Sequence, residues 1–211
     1  MNGGPLARIQ DAFGWDGFPH ALFYHARYAL RFELDNDAQG APVQLIRAMD
    51  RARLIASDAF AESVTLTAVI SYYSDRKTAR RVSAAFDRLA KIGFRESLRG
   101  SDRVPRNDED HIAAFGVDLY RCWHGADFDK SDDAMTALLW AALTRDLSIT
   151  PSTRCLSVHI VDFARKIVVH PYDDRGLDVV APDRQTLRPL YERRNDWLLD
   201  HDRKAMDATF G

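Results

Sequence analysis

A chain of 211 residues, 46% hydrophobic and 28% charged with a formal net charge of −2, can bury one sizeable core and is far from the composition of a disordered protein. The near-neutral balance argues against a dedicated nucleic-acid binder, which would be strongly basic. Two cysteines, Cys122 and Cys155, are too few for a disulfide framework and read as buried thiols in a reducing compartment.

Met1-Asn2-Gly3-Gly4-Pro5 lacks the basic stretch and apolar run of a signal peptide. No apolar segment approaches the ~20 residues of a membrane helix. One globular domain over residues 1–211, in the cytoplasm, is the expectation.

Pro5 to Phe13 reads as a short helix with Leu6, Ile9 and Phe13 on one face, broken by Gly14 and Gly17. Tyr28, Leu30, Phe32 and Leu34 alternate with Ala29, Arg31 and Glu33, the period-two pattern of a half-buried strand, which Asp35-Asn36-Asp37 and Gly40 end with turn chemistry. Pro42 suits a first helical turn, and Leu45, Met49, Ala52, Ala56 and Phe60 then make a helical stripe. Val64 to Ile70 is rich in β-formers and reads as a central strand. A helix from about Lys77 to Ile92 turns Val82, Phe86, Leu89 and Ile92 inward and stops at Gly93.

Gly100 to Asp110 is polar, carries Pro105 and reads as a loop. A strand is expected within Ile112 to Trp123, with Val117, Leu119 and Arg121 alternating with Asp118, Tyr120 and Cys122. Asp132-Asp133 opens a helix through Leu143 that buries Met135, Leu138, Leu139 and Ala142, its first-turn acids suiting the positive end of the dipole. Leu156–Val161, Lys166–Val169 and Leu177–Val180 read as strands, the last two joined by Asp173-Asp174-Arg175-Gly176 with hairpin-turn composition. Asp183 can cap the following helix, which Pro189 should shift or kink. Leu190, Trp197 and Leu198 anchor it, and Asp200 to Phe210 adds a last turn or short helix. Strands in succession near the end favour an α+β fold, a single domain with a mixed or mainly antiparallel sheet packed with several helices.

Signatures of chemistry are sparse. Cys122, His124 and Asp127 lie close together and His20 and His25 recur early, yet nothing has the spacing of a zinc site, and HExxH is absent. GxSxG, a Walker lysine and GxGxxG are also missing. No metal, cofactor or catalytic residue is therefore expected. The alternative is an enzyme using the carboxylates Asp173, Asp174 and Asp178, which cluster about the hairpin turn. Aspartates also favour turns simply because they bond the local backbone.

Charge distribution says more than the total. Arg76 to Arg106 carries ten Lys/Arg against three acids, and Asn107 to Asp133 carries eight acids against two bases. Such blocks can be solvated faces that pair with each other. The acidic one can instead present Asp108, Glu109, Asp110, Asp127, Asp129, Asp132 and Asp133 to a basic partner, steering its association. A nuclease, whose active site must attract phosphate, is such a partner. The basic helix could touch nucleic acid but lacks interleaved aromatics, so a nucleic-acid role is disfavoured.

Leu22-Phe23-Tyr24 through Arg31-Phe32-Glu33-Leu34 forms one distinctive stretch. A second starts at Tyr172-Asp173-Asp174-Arg175-Gly176-Leu177-Asp178-Val179 and resumes at Thr186-Leu187-Arg188-Pro189-Leu190-Tyr191. It then continues through Asn195-Asp196-Trp197-Leu198-Leu199-Asp200 to Asp202-Arg203. Together they cover roughly a fifth of the chain, and they resemble a bacterial family catalogued as domain of unknown function 3885. The resemblance carries no established activity and no catalytic residues. It implies proteins from toxin–antitoxin-like gene neighbourhoods, hence an immunity protein of a contact-dependent growth-inhibition or related polymorphic toxin system. Such a protein would need no membrane or cofactor, and would bind a cognate toxin in the cytoplasm.

Overall fold

A computed structural model describes residues 3–35, 41–74, 79–105 and 120–211. Seven strands form one sheet in the order β1-β7-β6-β5-β2-β4-β3: Ala29–Glu33 (β1), Thr65–Ser74 (β2), Arg99–Pro105 (β3), Tyr120–Asp129 (β4), Ser157–Asp162 (β5), Ile167–Asp173 (β6) and Gly176–Val180 (β7). Every neighbouring pair is antiparallel. The helices are α1 (Pro5–Phe13), α2 (Ala41–Ala59), α3 (Ala79–Lys91), α4 (Asp132–Leu143), α5 (Arg184–Arg193) and α6 (Arg203–Phe210), so the α+β class read from the sequence holds. None of them is long and apolar enough to cross a membrane.

The two faces of the sheet are covered differently. On one side the buried stripes of α2 and α4, with Ala52, Ile55, Ala56, Leu138, Leu139 and Ala142, meet Leu30, Phe32, Leu66, Ile70, Val158, Ile160, Val169 and Val179 in the larger core. On the other, α1 and the irregular chain after it lay Ile9, Phe18 and Leu22 over Ala29, Val69, Trp123, Val161, Val168 and Val180. Covering both faces makes the middle strands read as continuous apolar runs, since either side of the pleat meets protein.

Three expectations change. Arg99–Pro105, which takes in the first half of the loop expected from Gly100 to Asp110, is strand β3 paired with β4. As a sheet-edge strand with a register shift between Arg99 and Asp102, it tolerates polar residues and a terminal Pro105 that a central strand would not. β4 runs on to Asp129, so Asp127 and Asp129 are strand residues and not part of a connection. Residues 112–119 of the strand expected there lie outside the described residues. The helix after Asp183 passes through Pro189 unbroken. Pro189 is exposed, and the Asp183 carboxylate accepts the Thr186 N–H at 2.8 Å as the cap.

The β6–β7 hairpin is as tight as its composition implies, with only Asp174 and Arg175 between the strands. Gly176 is required there because a Cβ would run into the Tyr172 hydroxyl. Gly176→Ala is expected to cost about 1–3 kcal/mol by displacing that half-buried ring, read as a lower urea midpoint with unchanged m-value.

Candidate functional site

Arg31 and Asp178 occupy the middles of apolar strands and are directly opposed in the β1–β7 register. Asp178 is in turn opposed to His170 on β6. His159 on β5 stacks on His170 with ring centroids 3.9 Å apart and planes 9° from parallel. A charged and polar row thus crosses four strands on the sheet face that α1 and the following chain cover.

The Arg31 guanidinium grips Asp178 through Nε (2.8 Å) and Nη2 (3.2 Å), and its Nη1 reaches Asp202 at 3.2 Å. Asp178, 0% exposed, also accepts the Phe23 N–H at 3.1 Å. Asp202 accepts from the Tyr24 hydroxyl at 3.1 Å. Arg31 lies 4.6 Å from the Tyr24 ring centre and 5.6 Å from that of Tyr172. Burial pulls on the Arg31 proton, yet the hydrogen bond and charge of Asp178 outweigh it and hold the guanidinium above its ordinary pKa. Burial, with the Asp178 charge adding to it, pushes the Tyr172 phenol up, so it stays protonated.

The two histidines are neutral. Burial lowers His170 to about 4, although its Nδ1 lies 2.9 Å from the Val158 carbonyl. His159 is pushed well below its ordinary value, by burial first and then by His170 and Arg121. Phe18 stacks on its other side at 4.6 Å. Neither ring nitrogen of His159 has a hydrogen-bond partner, though the backbone of the opposed Val69 faces the ring. A buried imidazole in that condition costs free energy that packing must offset.

The carboxylates proposed for an enzyme do not converge. Asp173 holds the Arg175 side chain and N–H, Asp174 accepts from Gln44 at 2.6 Å, and Asp178 holds Arg31. Asp173 and Asp174 are each 4% exposed, and burial raises the Asp174 carboxyl above the usual range. Their turn is therefore neither an open hairpin tip nor a shared acidic group.

The acidic residues proposed for partner binding divide three ways. Asp108, Glu109 and Asp110 lie outside the described residues. Asp127 is engaged with Arg8 (2.8 Å) and the Thr67 hydroxyl (2.5 Å). Asp129, Asp132 and Asp133 are exposed at the end of β4 and the first turn of α4, and none forms an ion pair with a described residue. Beside them Val64 is 81% exposed, next to the Thr65–Asp129 pair. Cys122, His124 and Asp127 do not come together as ligands: His124 Nε2 meets the Tyr72 hydroxyl at 3.0 Å. No group of three or more metal-binding side chains occurs among the described residues.

Sequence reading missed the Arg31–Asp178–Asp202 network and the histidine pair. Their signal was present as single ionisable residues inside apolar strands, Arg31 between Leu30 and Phe32 and Asp178 between Leu177 and Val179. Such placements are rare without a partner.

An antiparallel sheet clamped at one end by a buried arginine and two aspartates defines a class of α+β scaffold and no reaction. Within that class, the chain belongs to the family described as "Domain of unknown function (DUF3885)", whose model matches residues 7–202. The match therefore includes the charge-rich middle, well beyond the two stretches that carry the resemblance. An uncharacterized protein of Bacillus subtilis (strain 168), YnaE, is 36% identical over 75 residues, 33% of this chain and 35% of that protein. The chain thus spans about a third of the length of the curated relative it matches. No solved structure matches it. The Leu22–Leu34 and Tyr172–Arg203 stretches that carry the resemblance meet in space, because Tyr24, Arg31, Asp178 and Asp202 form one network.

Proposed function

We propose that this protein is a binding module, an immunity protein that neutralises a cognate toxin domain in the cytoplasm. Asp129, Asp132 and Asp133 carry the reading, because they stand exposed without a cation among the described residues while Asp127 and the hairpin aspartates are satisfied internally. Val64, exposed beside them, adds a small apolar contact to this acidic surface. A basic partner, such as a nuclease domain, fits that charge. Asp108, Glu109 and Asp110 extend the same acidic stretch in sequence. The alternative, an enzyme built on Asp173, Asp174 and Asp178, draws less support because each carboxylate is committed to a different partner.

The test is co-expression with a secreted toxin encoded beside this gene. Restored growth and a stoichiometric complex are expected, and a verified neighbouring toxin that is neither bound nor neutralised overturns the proposal. With that complex in hand, the triple change Asp129→Asn, Asp132→Asn, Asp133→Asn should slow association roughly tenfold at low salt. It should also flatten the salt dependence of the rate. Stopped-flow rates that match the unaltered protein at every salt concentration would sink the electrostatic version.

A further inference from the structure

We propose that the cleft between α1 and the β5–β6 turn is a binding site for a small organic anion, a phosphate monoester or carboxylate on a flat apolar body. The cleft holds about 330 Å3 and is lined by Phe13, Trp15, His25, Arg27, Lys166 and Val180, among others. That is the lower end of the size range of small-molecule sites, roughly 300–1,000 Å3.

Its polarity is one-sided. No carboxylate belongs to the lining among the described residues. Arg27 and Lys166 form no ion pair with a described residue, whereas Arg8, Arg165 and Arg175 each hold an acid. The Arg27 guanidinium lies 5.2 Å from the centre of the Tyr28 ring, which leaves its donors available. The Trp15 indole N–H has no acceptor among the described residues. Asp16, the acid next to Trp15, accepts from the Gln10 amide at 3.0 Å when that amide takes its satisfied orientation. Cationic donors thus gather at this cleft with no carboxylate among its described lining residues, a condition that an anion relieves through charge-assisted hydrogen bonds.

The remaining wall is apolar and flat. Phe13 and Trp15 stack with centroids 5.4 Å apart and planes 17° from parallel, and Val180, Ala181 and Pro182 continue the surface. Lys166 sits at φ 57 in the β5–β6 turn, a left-handed conformation that glycine or asparagine adopts more readily. The lysine at this position sets its charge at the cleft at some backbone cost. The ligand class follows from the lining: an anionic head for Arg27, Lys166 and His25, and a ring or short apolar body for the aromatic wall. This goes beyond the toxin-binding proposal and does not depend on it.

The experiment is calorimetric titration of the full chain with phenyl phosphate, benzoate and phenol, repeated on the double variant Arg27→Gln, Lys166→Gly. Glycine is chosen because it accepts the left-handed turn. One-site binding of phenyl phosphate or benzoate is expected, with phenol at least roughly tenfold weaker and the double variant weakened to a similar extent. Tighter phenyl phosphate assigns a phosphate ester, and tighter benzoate a carboxylate. The proposal is overturned if neither anion saturates at millimolar concentration, if phenol binds equally well, or if the folded double variant binds unchanged. The comparison of charged with uncharged probe on the unaltered protein decides the matter even if the variant fails to fold.

Discussion

Arg31→Met is expected to lower the free energy of unfolding by about 3–5 kcal/mol, much of the roughly 5–15 kcal/mol typical of a domain. The cost arises less from the lost attraction than from what remains behind. Asp178 is 0% exposed and would keep only the Phe23 N–H as a donor, while Asp202, 7% exposed, would keep the Tyr24 hydroxyl. Two buried carboxylates with one weak donor each must take up protons or draw in water, and both routes cost stability. Asp178→Leu alone should be comparably damaging, since the guanidinium then loses its bidentate partner and stays buried. The paired change Arg31→Met, Asp178→Leu removes both charges together and should recover more than half of the single-variant loss. Urea denaturation of the three variants tests this cycle. Additive losses in the pair would mean that the two side chains act independently, and the network would then not be the clamp that joins the N-terminal turn, β1, β7 and the C-terminal segment.

Much of the framework was legible because both periodicities were clean. Of the stripe Leu45, Met49, Ala52, Ala56 and Phe60, all but the half-buried Met49 are buried, with Phe60 just past the end of α2. Leu30, Phe32 and Leu34 fall on one face of β1. The other face of β1 was misread, since alternation with Ala29, Arg31 and Glu33 implied half exposure, whereas Ala29 and Arg31 are buried. A pattern of polar and apolar residues does not distinguish water from a counter-ion 147 positions away in the chain. The strand order was equally hidden, because β2 pairs with β4 and β5 across long connections and local signals say nothing of such partners. β3 escaped notice because an edge strand needs so little apolar surface. Of the candidate acidic face, the sequence showed the charges, but not that Asp127 belongs to Arg8 while Asp129, Asp132 and Asp133 stay exposed.

Acid should destabilise the protein earlier than its carboxylates alone would dictate, because the folded state holds His159 and His170 neutral. Their folded pKa values lie below the ordinary 6.5 of an unfolded chain. Below about pH 6.5 the unfolded state therefore binds more protons than the folded one, and stability falls as the pH falls. For His170, lowered to about 4, the loss between pH 6.5 and 4 amounts to about 3 kcal/mol. His159 contributes in the same direction. Arg121 on β4 opposes a positive charge on either ring and Arg145 opposes one on His170, whereas the Asp178 carboxylate and the backbone of Val158 favour one on His170 and the backbone of Val69 favours one on His159. That carboxylate already holds Arg31 through two hydrogen bonds. His159→Phe separates this effect from general acid unfolding. Phenylalanine can keep the stack between Phe18 and His170 while removing two nitrogens that have no hydrogen-bond partner. At pH 7.5 the variant should be as stable as the parent or more so by about 1–2 kcal/mol, and its stability should decline less between pH 6.5 and 5. Urea midpoints measured at half-unit pH steps give both numbers. Parallel curves for variant and parent over that interval would show that His159 does not couple folding to protons.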